Sequence, residues 1–448
     1  MSGLALLGGD AVRQEPFPAY RTIGETEKAA VNRVLESGIL SRFLGTWHPD
    51  FYGGPEVQAF EREWAALYAA RHAVAVNSCT SGLFAAVGAV GCGPGEEVIC
   101  SPYTMSASAT AALIFNAVPV FADIDRDTYN ISAETIRPRI TPRTKAIIVV
   151  HIFGQPADMD PIMDLAEEHG LFVIEDCAQA PFARYKGRLV GGLGHIGVFS
   201  LNYHKHIHSG EGGMLTTNDD DLAERLQLIR NHAEAVVEKK GVTNLVNMIG
   251  FNFRLGEIEA AIGRCQIDKG EALVRERQHN VRYLEERLAG LPGLSLPKVG
   301  PAEDHVYYVH ALGYDASETG VPRETIVQAL KAELPVTELR EAEGPLVGMG
   351  YVKPLYLLPM YQEQIGYGAV QCPFRCPHYT GEAQYGRGLC PNAEEAHFER
   401  VITHELMRPP MSRADLDDVA AAFHKVFGNL DALRDHAQAA AREAAGLG

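Results

Sequence analysis

The chain has 448 residues, 46% of them hydrophobic, enough to bury one large core and a smaller satellite, so two domains are expected. Its 57 acidic against 40 basic residues give a formal charge of −17, with no basic stripe to displace the counterions of a nucleic acid. No apolar run approaches the roughly 18 to 20 residues that a membrane-crossing helix needs. Eight scattered cysteines (Cys79, Cys92, Cys100, Cys177, Cys265, Cys372, Cys376, Cys390), with no signal-peptide pattern ahead of them, point to free thiols and a cytoplasmic setting.

The opening stretch, Leu4 to Asp10, reads as an N-terminal arm. A helix is expected over 25–37, with Ala29, Val31, Val34 and Leu35 as its apolar positions. After a Gly-rich turn, a second helix carries Pro55 in its first turn and aligns Val57, Phe60, Trp64 and Leu67 as a core face. From Ala73 the pattern alternates. Strands are expected over 73–76, 97–100, 118–121, 146–151, 171–175, 196–200 and 214–217, with segments of helical length, such as 81–90, 106–116 and 160–169, between most of them. This is an α/β fold with a mostly parallel seven-stranded sheet between helices, and its ligands bind beyond the carboxyl ends of the strands.

Four features fall at such ends. Asn77 to Gly82 opens a helix whose free N–H groups suit a phosphate, although an ordinary Ser/Thr cap reads equally well. Asp176 stands at the mouth of an apolar strand, where a carboxylate needs a cationic partner unless it is a loop or cap acid. His151 ends another strand and is either a ligand contact or, more simply, a hydrogen-bonded structural histidine. Lys205 lies in a polar, nearly uncharged run before Gly210, Gly212 and Gly213. That setting suits an amine that forms imines, against the plainer reading of a loop lysine.

Taken together, the runs Val149 to Asp158, Glu175 to Gln179, Lys205 to Gly213 and Gly250 to Arg254 resemble the DegT/DnrJ/EryC1/StrS family of sugar and cyclitol aminotransferases, fold-type I enzymes of pyridoxal 5′-phosphate (PLP). The likeness extends from about Gly53 to Ala421. It implies that Lys205 forms the Schiff base and shuttles the proton, that Asp176 pairs with the pyridine nitrogen, and that Gln179 bonds the phenolic oxygen. It further implies that Ser200, Thr80 and Ser81 hold the phosphate and that Asn252 reaches the phosphate of a neighbouring subunit, making a homodimer with shared sites. Two departures stand out: Met105 occupies the place of an aromatic residue over the ring, with Tyr103 nearby, and Cys79 replaces a glycine of the phosphate cup.

The reaction so implied moves an amino group from L-glutamate or L-glutamine to a keto sugar, often nucleotide-linked, or to a cyclitol ketone. The alternatives are a sugar 3-dehydratase of the same family, whose members exchange the lysine for histidine, and a non-catalytic regulator that binds amino sugars. The intact Lys205 counts against the first, although the flanking histidines keep it open, and the intact Lys205, Asp176 and Gln179 count against the second. His204, His206 and His208 alternate around Lys205 and in an extended segment would share a face; His204, His206, His151 and Arg254 are candidate substrate contacts, and no metal is expected. Asp219 to Asp221 is expected to cap a helix over 222–229. An amphipathic helix through Ile258, Ile262 and Gln266 is expected, then a long charged helix from about Lys269, a strand over 306–312, and helices near 323–332 and 414–426. Cys372, Cys376, His378 and Cys390 lack paired zinc spacing and read as free thiols and a histidine in a Pro-rich loop. The division is 1–270 for the arm and large PLP-binding domain, 271–430 for a smaller α+β domain, and 431–448 for an Ala-rich tail that is frayed or disordered. The arm is similar to those of inosose aminotransferases.

Overall fold

All seven expected strands form one sheet in the computed structural model, which describes residues 3–444. They are β1 (His72–Val76), β2 (Glu97–Cys100), β3 (Val118–Phe121), β4 (Thr144–Val150), β5 (Phe172–Asp176), β6 (Ile196–Ser200) and β7 (Gly213–Thr217), in the order β1-β7-β6-β5-β4-β2-β3. Only β7 runs antiparallel to its neighbours. The strands read as continuous apolar runs because helices cover both faces, so alternation disappears.

The helices begin with α1 (Glu25–Ser37), α2 (Pro55–Leu67), α3 (Cys79–Ala89), α4 (Ala107–Ile114), α5 (Met159–His169) and α6 (Asp220–Arg230), the last capped by Asp219 through the Leu222 N–H. Val57, Phe60 and Trp64 of α2 are fully buried. In α1 the packed positions are Ala30 and Val34, against Ala261, while Leu35 is 52% exposed: the helix lies on α7 through a narrower face than its apolar residues suggest. The two helices expected around Gln266 and Lys269 are one, α7 (Glu257–Leu288), a single 32-residue span.

A second core gathers around the C-terminal half of α7, α8 (Arg323–Glu333), α9 (Arg413–Phe427) and an antiparallel sheet. That sheet contains β8 (Leu294–Ser295), β9 (His310–Tyr314), β10 (Val347–Met349) and β11 (Val401–His404), in the order β8-β9-β11-β10. The arm packs here: Leu4 and Phe17 are buried in this cluster, and the Ala5 N–H donates to Glu333 at 2.8 Å. So does the tail, which continues as α10 (Leu430–Ala444), with Leu433 buried and Arg434 donating to the Thr319 carbonyl; residues 445–448 lie outside the described residues.

Two segments part from expectation. The strand expected from Val306 starts at His310. Val306 and Tyr308 instead donate their N–H groups to the Gly154 and Phe153 carbonyls, because the chain here crosses between the two cores and pairs with the loop after β4. Gly154, at φ +92°, permits this approach, since a Cβ there would lie 2.9 Å from the Val306 side chain. The stretch between β10 and β11 lies over the edge strand β3: Tyr356, Tyr361 and Tyr385 cluster on Phe121, and the Tyr385 hydroxyl donates to the Pro119 carbonyl at 2.8 Å. A sheet edge left open invites pairing with other chains, and this layer closes it. Cys372, Cys376 and Cys390 all lie in this layer as free thiols. No helix among the described residues is long and apolar enough to cross a membrane.

Candidate active site

The site forms at the carboxyl ends of β4, β5 and β6. Beyond β6 the chain turns instead of extending: the Lys205 N–H donates to the Asn202 carbonyl at 2.9 Å. The three histidines therefore diverge, contrary to the extended reading. His206 is fully buried, with Nε2 2.9 Å from the Val306 carbonyl. His204 lies against Tyr203, ring centroids 3.7 Å apart, and lines a surface cavity together with His208. The Lys205 Nζ sits 4.4 Å from the centre of the Tyr308 ring and makes no ion pair among the described residues.

Asp176 ends β5 with 4% exposure. It accepts hydrogen bonds from Ser108 Oγ at 2.8 Å and the Ala178 N–H at 3.1 Å, yet it has no ion pair among the described residues. Burial pushes its pKa up, and these two bonds with the field of Lys205 only partly offset that. Such a carboxylate is complete only when a cation or N–H donor reaches it.

Glu175 points to the other side of the strand, as strand geometry requires. It accepts the N–H groups of Gly191, Leu193 and Gly194, and its Oε2 lies 3.0 Å from His151 Nε2. His151 Nδ1 accepts the Ala157 N–H, so Nε2 carries the proton toward Glu175. These two residues and Cys177 are close enough to hold a metal. Every donor and acceptor of the His–Glu pair is already engaged, however, and the trio is a buried brace behind Asp176. His151 and His206 thus present no surface to a substrate, a correction to their reading as contacts; both hold the backbone on which Asp176 and Lys205 stand.

Gln179 accepts the Phe153 N–H through Oε1 at 2.7 Å and donates from Nε2 to the Tyr351 hydroxyl at 2.8 Å. Tyr103 is fully buried beside Phe153 and Tyr351, its hydroxyl without a partner among the described residues, whereas Met105 is 63% exposed.

The amide cup is built by a close approach. Ser78 caps α3 by accepting the Ser81 N–H, and the Ser81 hydroxyl donates to Asn77 Oδ1 at 2.7 Å. The N–H groups of Cys79 and Thr80 lie in the first turn, where a helix has no partner for them. A Cβ at Gly213 would come within 2.6 Å of the Ser78 carbonyl carbon, so only glycine lets β7 pass this close. Gly213 pairs with Ser200 across β6 and β7, which brings Ser200 to the mouth of the cup. The Cys79 thiol is pushed well up by burial and then by Asp176, and it lies within the fields of both Asp176 and Lys205. Amine, carboxylate and cup therefore share one site. Asn252 is exposed beside that cup: its carbonyl accepts Asn77 Nδ2 at 3.4 Å, and the Phe253 carbonyl accepts the Asn77 N–H. Arg254 has a buried Nε with no acceptor among the described residues.

Three residues here escaped the sequence reading. Ser108 had a signal, a hydroxyl in the first turn of the helix after β2. Tyr308 and Tyr351 had none, since both arrive from segments crossing between the two cores.

The sequence profile of the DegT/DnrJ/EryC1/StrS aminotransferase family matches residues 21–375. The spore coat polysaccharide biosynthesis protein SpsC of Bacillus subtilis (strain 168) is 35% identical over 415 residues, 91% of this chain and 96% of its own. A protein of Streptoalloteichus tenebrarius, provisionally named an L-glutamine:3-amino-2,3-dideoxy-scyllo-inosose aminotransferase, is 32% identical over 444 residues, 97% of this chain and 100% of its own. The crystal structure of DesI in the presence of its TDP-sugar product superposes with a TM-score of 0.78 at 27% identity and covers 98% of each chain.

Proposed function

The chain belongs to the DegT/DnrJ/EryC1/StrS aminotransferase family, and we propose that it uses PLP to move an amino group from L-glutamate or L-glutamine onto a keto sugar, nucleotide-linked in the favoured form, or onto a cyclitol ketone. The observation that carries the cofactor is Asp176, a 4% exposed carboxylate in the field of Lys205 with no ion pair among the described residues. A protonated ring nitrogen is the partner such a group lacks. The inosose in the name of one similar protein and the TDP-sugar product of another support the acceptor class.

When bound, PLP supplies an aldehyde for amines and a ring that takes up the electron pair left at the donor carbon. The chain's own residues do the rest. Lys205 would hold the aldehyde through Nζ, and the same amine, when free, would be the base that takes the donor's α-proton and gives it back. Asp176 would hold the ring N–H, and the remaining N–H of Gln179 Nε2 would meet the ring hydroxyl. Ser200, Ser81 and the amides of the first turn of α3, Thr80 among them, would receive the phosphate. Met105 would cover a ring face with its thioether. Asn252 serves the site of a second copy, so the working unit is a homodimer.

The test is optical. The purified protein should show a visible imine band that L-glutamate or L-glutamine abolishes and that a keto acid restores. Lys205→Ala should lose the covalent imine that borohydride traps in the parent; a band trapped on another lysine would overturn the assignment.

A further inference from the structure

The Lys205 loop has a second side. A cavity of about 310 Å3 opens against it, lined in part by Tyr20, Arg21, His204, His208, Arg340 and Arg408, and neither Lys205 nor Asp176 lines it. Its volume stands at the small end of ligand pockets, which run from roughly 300 to 1,000 Å3.

The charges of this wall do not balance. Arg340 pairs with Glu343 and, at 2.6 Å, with Glu405; Arg408 pairs with the same Glu405. Arg277 is fully buried behind Tyr20, its guanidinium carbon 5.2 Å from that ring, and it has no carboxylate partner among the described residues. Three guanidinium groups thus stand against two carboxylates. Arg21 and Glu338, 3.9 Å apart, cancel each other. His204 and His208 are held below the ordinary imidazole pKa, chiefly by burial, and are neutral near pH 7.

The donors are unsatisfied as well. Arg408 is 7% exposed and its Nε has no acceptor among the described residues; Arg277 gives one N–H to the Tyr307 carbonyl, while its Nε and Nη2 have no acceptor among those residues either. Buried guanidinium groups with empty N–H positions are costly, and an oxyanion is the group whose geometry fills them. The wall also adjoins the catalytic side: Tyr351, hydrogen-bonded to Gln179, lies within the fields of both Asp176 and Glu405.

We propose that this cavity is an oxyanion subsite in which Arg408, with Arg340 beside it and Arg277 behind, receives a carboxylate or phosphate group of a substrate seated against His204 and His208. The assignment rests on the transaminase reading. The oxyanion has two possible sources: the carboxylate of the amino-acid donor, or the diphosphate of a nucleotide-linked acceptor.

Calorimetric titration of the holoenzyme with glutarate, and separately with pyrophosphate, needs no turnover. It therefore stands or falls apart from the optical test of transamination. At least one probe should bind the parent and bind Arg408→Met about tenfold more weakly, the loss expected for one charge-assisted contact, with Arg408→Lys between. Glutarate as the affected probe assigns the donor, and pyrophosphate the acceptor. Because Arg408→Met removes a partner of Glu405, the double variant Arg408→Met/Glu405→Gln returns the wall to the parent's excess of one positive charge; it should melt near the parent and show the same loss. Absence of binding to the parent, or unchanged binding in the variants, overturns the subsite.

Discussion

The value of Asp176 lies in what it lacks. Of the carboxylates on β5, Glu175 is held below its ordinary pKa, against its burial, by His151 and the Gly194 and Gly191 amides, while Asp176 is driven up by burial. A raised folded pKa means that the cofactor-free native state binds the proton more tightly than the unfolded chain. Stability from this residue is then full below the unfolded pKa, about 4, and declines as pH rises through the folded value. Asp176→Asn should remove that decline, which melting curves of the cofactor-free parent and variant from pH 4 upward will show; parallel curves would mean that the carboxylate ionises there without cost. With cofactor the same substitution should lower turnover by roughly a hundredfold or more, because a carboxamide cannot keep the ring nitrogen charged. Lys205 and Asp176 were legible because each breaks a local rule: a lysine without charged neighbours and an acid closing an apolar strand. His151 and His206 break rules too, but His151 is braced by Glu175 and the Ala157 N–H and His206 by the Val306 carbonyl, and a buried imidazole so held leaves the same trace in sequence as one that meets a ligand.

At the scale of elements, sheet and helices were readable wherever burial was two-sided and periodic, and least readable where one segment packs on two bodies. The 306–312 stretch is apolar like a strand, but its first half serves the loop after β4, and only the fold decides that. The docking of α1 on α7 depends likewise on one acid that no pattern marks. Glu27, 1% exposed, accepts Lys269 Nζ at 2.5 Å, Gln266 Nε2 at 2.7 Å and the Gly24 N–H at 2.8 Å. Burial works to raise its pKa, yet these bonds together hold it below the ordinary range. The stability it contributes is therefore present above its unfolded pKa and lost as pH falls through the folded one. Glu27→Gln should cost about 1–3 kcal/mol near pH 7, by stranding the Lys269 charge. Urea denaturation should find that gap narrowing below about pH 4; a gap constant with pH would assign the cost to packing instead.

The whole molecule leaves an apolar surface that one chain does not cover. Leu35, Leu40, Leu44 and Trp47 are 39–52% exposed, and Leu245, Val246 and Ile249 are 57–68% exposed. The two stretches meet around Asn231, whose side chain donates to the Leu44 carbonyl and whose backbone bridges Asn252. An exposed apolar patch of this extent, bordering the loop that carries Asn252 and the mouth of the amide cup, fits a second copy. If Asn252 serves the partner's site, two inactive variants can repair each other. A dimer of Lys205→Ala with Asn252→Ala has one site carrying both lesions and one carrying neither. Random reassortment of equal amounts should then restore about a quarter of parental sites. If Asn252 acts only within its own chain, every site in the mixture keeps a lesion and no activity returns. Assays after the two variants are unfolded and refolded together, against each refolded alone, decide between shared and separate sites. They decide it even if the oligomer proves larger than a dimer, since the repair depends only on which chain's asparagine meets which chain's cup.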